Sequence, residues 1–440
     1  MANKPTSISA LTISGFKSIA KETRVEIAPL TILAGANSAG KSSVMQPLLL
    51  LKQTLEAPGD PGALLLDGPN VRFTSTGQLL STSPVQEPRS FSVEIHKTNG
   101  ESLKTTYQQQ NDGFDVSEMV YIDKSQTPKV YRHDLEKQEI LKNIPDWNVN
   151  VSKVINSRKL IWSISRDRCF LLITAIEPGE SKRNFFFLDT RLAPAGKFVN
   201  HIRSILHLPG LRGNPQRTYP RRATENLFLF PGTFDQYVAS LVFNWQINKD
   251  DKLDTLGKHL KSIGLSWKVK AEKVSDTEVE LKVGRLPHSR RGGANDLVSI
   301  ADVGLGVSQS LPVLVSLLAA MPGQLVYLEQ PEIHLHPKAQ IGLASLLCEA
   351  ANRGVRVVVE THSSLLLRQL QMMVALENFS PRDIKLHWFH RDDQGITNLT
   401  TAELDENGAY GQWPEDFGDT ELRLEQRYLD AVENRGVSRK

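Results

Sequence analysis

The first hydrophobic pattern in the chain has a period of two. From Ile8 to Ile13 the run ISALTI alternates as a strand does, GFKS turns it, and RVEIAPLTILAG from Arg24 to Gly35 adds two more short strands ending on glycine. After Lys41 the period lengthens, and SSVMQPLLLLKQTL reads as a helix, with Pro47 placed to bend it. From about Pro58 to Asn295 the pattern weakens into short strands, polar connections such as YQQQNDG, and the stretch LPGLRGNPQRTYPRR from Leu208 to Arg222. No heptad persists there, which excludes a long coiled-coil arm. Regular texture returns at Leu297 with a glycine pair, an apolar helix, the strand QLVYLEQ, a helix from Pro337, the strand VRVVVETH and the segment FSPRDIKLHWFHR. This order predicts an α/β fold: residues 1–90 as its first half, 91–295 as an inserted α+β region, and 296–440 as its second half.

Composition changes this picture little. The 440 residues are 40% hydrophobic and 23% charged, as in an ordinary globular protein, and 52 basic against 49 acidic side chains leave a net charge of +3 that decides nothing about partners. Cys169 and Cys348 form no CxxC pair and support neither a disulfide framework nor a zinc site. The longest apolar stretch, Leu311 to Met321, is too short to cross a bilayer, so a cytoplasmic protein without a membrane partner is expected.

The candidate chemistry starts in GANSAGKS, from Gly35 to Ser42. A phosphate chain needs several backbone N–H groups converging on it, and glycines let a loop wrap that tightly. Gly35, Asn37, Ser38, Ala39, Gly40 and Ser43 would form the cradle, Lys41 would supply charge to the β- and γ-phosphates, and Ser42 would place its hydroxyl on Mg²⁺. ATP with Mg²⁺ is the expected ligand pair. In LVYLEQPEIHLHP a hydrophobic strand ends in acid and amide. Glu329 is expected to face the metal, and Gln330 stands where a general base would, although an amide accepts no proton and can only orient water. Glu332 reads either as a substitute base or as a surface acid. His334 and His336, two apart on one strand, would point to opposite faces and make a poor metal pair. VVVETHS places His362 at the carboxyl edge of the sheet, where it could sense the γ-phosphate. In DVGLGVSQSLPVLVSLL, Gly304 and Gly306 precede Ser308 at a helix start, which suits a phosphate.

In this order the four motifs resemble the ABC-type ATPase heads of the RecF/SMC group, most closely the OLD-like (overcoming lysogenization defect) ATPases of bacteria. The likeness covers roughly the first 80 residues, through LTISGFKSI and PLTILAGANSAGKSSVMQPLLLL, and roughly the last 145, through DVGLGVSQSLPVL, YLEQPEIHLHP and VVVETHSSLLLRQ. It implies a P-loop NTPase of ABC-ATPase type with an elaborated region between the halves of the head. It also implies ATP sandwiched between two protomers, with Ser308 acting in trans on the neighbour's nucleotide. Many relatives carry two acids where this chain has Glu329 and Gln330, so slow hydrolysis is expected. Gln78 is a candidate Q-loop residue. Asp392 and Asp393 lie in the turn RDDQG without an acidic strand before them, so no Toprim nuclease is expected. Stand-alone heads of this group work with a separately encoded effector in anti-phage systems, as in PARIS-type and Septu-type pairs. A RecF-like repair ATPase is the alternative, with DNA held by Arg212, Arg217, Arg221, Arg222, Arg290 and Arg291.

Overall fold

The structure is a computed structural model, and it describes residues 5–81, 89–143, 161–176, 185–187, 194–222, 228–286, 288, 296–411 and 424–432. Strand β1 (Ile8–Ser14) pairs antiparallel with β2 (Thr23–Glu26), and a tight turn then sends the chain into β3 (Leu30–Gly35) of a second sheet. Four further strands, β4 (Ser90–Lys97), β5 (Ser102–Gln110), β6 (Gly113–Ile122) and β7 (Pro128–Tyr131), extend the β1–β2 sheet as an antiparallel meander. Along β4 alternate residues are buried, as a sheet with one covered face requires. A small sheet of β8 (Ile161–Asp167), β9 (Phe170–Ile176) and β10 (Phe185–Phe187) follows.

The second large sheet positions the site. It is ordered β11 (Leu206–Leu208), β16 (Leu325–Glu329), β17 (Arg356–Glu360), β3, β18 (Ile384–Arg391) and β19 (Thr397–Ala402), where β12 (Tyr219–Pro220), β13 (Val269–Lys273), β14 (Glu278–Gly284) and β15 (Leu297–Ser299) form a separate sheet between β11 and β16 in the chain. The first five strands of the large sheet run parallel, and β19 closes the edge antiparallel to β18. Parallel strands end at one rim, so Leu208, Glu329, Glu360, Gly35 and Arg391 all deliver their loops there. A helix Lys41–Glu56 leaves β3 and runs unbroken through Pro47, with 13 of its 16 residues buried. One hydrophobic core lies against each face of the sheet, with Ile32, Val357 and Leu328 facing one and Leu33, Val358 and Tyr327 the other.

The region 91–295, expected as an insertion, is woven into both sheets. It supplies β11 to the nucleotide sheet and nearly all of β4 together with β5, β6 and β7 to the sheet of β1. It also grips the helix after the P-loop: Lys52, fully buried, donates to the Phe230 carbonyl at 2.9 Å and pairs with Glu56, whose other oxygen accepts the Gly232 N–H at 2.9 Å. A buried ammonium is tolerated only with such partners.

Candidate functional site

Fully buried β3 holds one end of the glycine loop and the Lys41–Glu56 helix the other. Gly35 has φ +143°, and a Cβ there would overlap the Phe389 carbonyl of β18. Gly40 has φ +100° with Thr397 pressed against it, and Ser38 also adopts a left-handed φ of +60°. Both glycines are therefore demanded by backbone shape and close approach. Asn37 and Ser38 are exposed at the crest, Ala39 is buried beneath, and the Ser43 N–H closes the first helical turn on Gly40 at 3.1 Å. Lys41 is buried, and its ammonium donates to the carbonyls of Gly35 (3.1 Å) and Ala36 (2.8 Å). Burial lowers its pKa, against the charges of Glu360 and Glu332, which raise it. The expected P-loop residues thus come together as one loop around Lys41.

The acid at Ser42 is one the sequence reading did not single out. Ser42 Oγ donates to Glu360 at 2.9 Å, and the Tyr327 hydroxyl donates to the other Glu360 oxygen at 2.9 Å. Burial raises the Glu360 pKa and the neighbouring Glu329 charge adds to it, against those two hydrogen bonds and Lys41. Glu329, expected at the metal, pairs in register with Glu360 but turns its oxygens the other way, to His207 Nε2 at 3.0 Å and the Gly210 N–H at 3.1 Å. Burial pushes its carboxyl up, but His207, Gly210 and Arg212 outweigh this and hold it below its ordinary value. His207 stacks on Tyr327 and reaches Asn70 with Nδ1 at 3.1 Å. The missed signal was available: an acid closing an otherwise β-branched strand at the same rim as the P-loop.

Beyond β16 the chain leaves the strand, so His334 and His336 do not share one. His334 has φ +65°, and His336 caps the helix Pro337–Asn352 by accepting the Lys338 N–H at 3.3 Å. Gln330 is also left-handed, at φ +43°; its N–H donates to the Glu360 carbonyl at 2.7 Å and its carbonyl accepts from Arg212 at 3.2 Å. Glu332 is not a surface acid: it is 8% exposed and accepts the Thr361 hydroxyl at 2.6 Å and the His362 N–H at 2.9 Å. His362 follows β17 at the rim, where burial and then the Lys41 charge lower its pKa, leaving a neutral ring at pH 7. Gln78 spends its amide on Thr74, and Asp392 accepts the N–H groups of Gln394 and Ile396 within its own turn.

Ser308 lies in the first turn of the helix Leu305–Ala319, behind exposed Gly304 and Leu305. Its hydroxyl donates to the Leu305 carbonyl at 3.2 Å, and it lines a cavity of about 280 Å³ with Arg212, Asn214, Gln216, Tyr219, Arg222 and Asp235. Among the described residues, no hydrogen bond joins this turn to the P-loop. The candidate DNA arginines have intramolecular partners: Arg212 is buried against Gln309 and Gln330, Arg217 forks onto Asp302, and Arg221 and Arg222 lie over Phe243 and Tyr237. Arg290 and Arg291 lie outside the described residues. No helix among the described residues is long and apolar enough to cross a membrane.

Solved structures similar to this chain include SMC heads. One bound to the C-winged helix domain of ScpA has TM-score 0.45 and 13% identity, covering 91% of this chain and 98% of its own. The SMC head domain from Thermotoga maritima has TM-score 0.37 and 10% identity, covering 90% and 98%. A head with an extended coiled coil bound to the C-terminal domain of ScpA, from Pyrococcus furiosus, has TM-score 0.44 and 11% identity, covering 98% and 100%. No curated protein matches the chain. The P-loop on β3, with the acid-tipped β16 one strand removed across β17, is the arrangement of an ABC-type P-loop NTPase. A family model described as "AAA domain, putative AbiEii toxin, Type IV TA system" matches residues 30–368, about three quarters of the chain, and the protein belongs to that family of P-loop ATPases.

Proposed function

We propose that the chain is a nucleotide-gated head that binds ATP with Mg²⁺, pairs with a second copy through that ATP, and in the paired state controls a separately encoded effector, a nuclease or toxin, in bacterial anti-phage defence. The observation that carries the reading is a division of the chemistry. Lys41, Ser42, Glu360, Glu332 and His362 gather around one loop, while Ser308 stands on a different element with its glycine-led helix start exposed. A phosphate-binding turn unconnected to its own P-loop suits a neighbour's nucleotide, with the partner's γ-phosphate entering beside Ser308, Asn214 and Gln216. The resemblance of the motifs to OLD-like heads and the family description with its AbiEii toxin support a defence setting.

The hydroxyl–carboxylate pair of Ser42 and Glu360 is a hard oxygen set of the kind that Mg²⁺ takes, while Glu329 turns its oxygens to His207 and Gly210. The bound ion would offset charge on the β- and γ-phosphates. Lys41 would turn from its two loop carbonyls to the same phosphates, and neutral His362 would donate its ring N–H to a γ-phosphate oxygen at the rim. A DNA-clamping repair role has less support, because the described arginines of the 212–222 stretch are held by neighbours within the chain.

Light scattering tests the pairing. With ATP and Mg²⁺ the native protein gains mass, while Ser308→Arg binds ATP and does not. Equal masses for both proteins in all conditions would end the proposal of ATP-driven pairing.

A further inference from the structure

Gln330 occupies the position where a hydrolytic base would be sought, yet its main chain is tied down and its side-chain oxygen turns toward Gly210. Its main chain is held on both sides by Glu360 and Arg212, and its side-chain oxygen lies 3.8 Å from the point where a side chain on Gly210 would begin, toward β11 and away from the P-loop strand. Two residues later the chain places a carboxylate in the opposite situation. Glu332 Oε1 is fixed by the Thr361 hydroxyl and the His362 N–H, whereas Oε2 is buried with no hydrogen-bond partner. Leaving a carboxylate oxygen buried and unpaired is costly, and such a group calls for a functional explanation. Its charge is felt at Lys41, the residue that would hold the γ-phosphate. Arg212 Nη1 is likewise without a partner, and Glu332 is the acid that acts on it most strongly.

We infer that Glu332, not Gln330, is the general base of ATP hydrolysis, with Oε2 taking the proton of the attacking water; the inference rests on the ATP-binding reading above. The oxygen of water bonds to the γ-phosphorus as the bond from that phosphorus to the β,γ-bridging oxygen breaks. The departing ADP keeps the electron pair, one water proton moves to Glu332 Oε2, and the hydroxyl stays on the phosphorus as hydrogen phosphate. The His362 N–H on Oε1 fixes the base to the loop that carries His362, so the base is held beside the residue that would meet the γ-phosphate.

The test uses the full chain with radiolabelled ATP and Mg²⁺ in single turnover, following both conversion to ADP and the label retained on the protein, beside a thermal melt. Glu332→Gln preserves shape and both hydrogen bonds to Oε1. It is expected to melt like the native protein, to bind ATP within about threefold, and to slow conversion by roughly 10²-fold or more, so that bound label stays ATP. Gln330→Ala is expected to convert ATP within about threefold of the native rate. Glu332→Gln converting at the native rate overturns the inference, as does Gln330→Ala stopping conversion while Glu332→Gln does not. A Glu332→Gln protein that melts normally but fails to bind ATP assigns Glu332 to binding and also overturns it. Failure of the native protein to retain ATP overturns the underlying nucleotide reading instead, and Lys41→Ala is its control.

Discussion

Ser42 and Glu360 stand 318 residues apart in sequence and 2.9 Å apart at the rim of the sheet, one opening the helix after the P-loop and the other closing the neighbouring strand. Their bond ties the two ends of the chain into one site and makes Glu360 the acid nearest to where Mg²⁺ would bind. Burial holds its carboxyl above the ordinary value of 4.5. Such a group binds its proton more tightly folded than unfolded. Its ionised form therefore works against folding above the raised pKa, and the penalty disappears as pH falls to about 4.5. Glu360→Gln is expected to raise the melting temperature of the nucleotide-free protein by a few degrees at neutral pH, with the gain shrinking toward pH 5, and to weaken Mg²⁺-dependent ATP binding. Melts at pH 5 and 8, with and without MgATP, check both effects.

Lys41→Ala is expected to abolish ATP binding while leaving the fold intact, because it removes the charge at the phosphates and leaves the glycine loop unchanged. Equilibrium binding of labelled ATP measures this, and circular dichroism checks the fold.

Gly35 and Phe389 meet backbone to backbone where β3 and β18 pair. Gly35→Ala adds a methyl group into a carbonyl that cannot move aside without opening the ladder, at a left-handed φ. A loss of roughly 2–3 kcal/mol is expected in denaturant unfolding, together with lost ATP binding.

His207 is buried between Asn70 and Glu329. His207→Ala removes a hydrogen-bond partner of the Glu329 carboxylate and leaves it facing a gap, so roughly 1–3 kcal/mol of stability should go. His207→Gln, which can still donate to Glu329, should recover part of it. Urea unfolding of the three proteins compares them.

Much of the nucleotide sheet was legible because its signals are local. GANSAGKS carries its own geometry within eight residues, and the apolar runs of β16 and β17 announce buried parallel strands. The acid set was not. Whether Glu329 or Glu360 meets Ser42 depends on His207, which sits in a strand of three residues, too short to show any period. The sequence leaves Glu332 open between substitute base and surface acid because its burial comes from Thr361 and His362, about thirty residues on, and from a turn that leaves the strand at Gln330. The middle region read as an insertion because short antiparallel strands announce alternation but not their partners. That β4 pairs with β1 is a long-range fact that no window of residues carries.

The trans site is tested most directly by mixing two defective proteins. Lys41→Ala offers an intact Ser308 but cannot bind ATP, and Ser308→Arg binds ATP but offers no serine. In a two-fold sandwich each mixed pair holds one complete site, built from the P-loop of one protomer and the Ser308 turn of its partner. ATP hydrolysis by an equimolar mixture is therefore expected to recover to at most roughly half of the native level, since neither variant pairs with itself and each mixed pair has one good site of two. Each variant alone should be inactive. A mixture no more active than either variant alone, with both proteins folded, would contradict the sandwich.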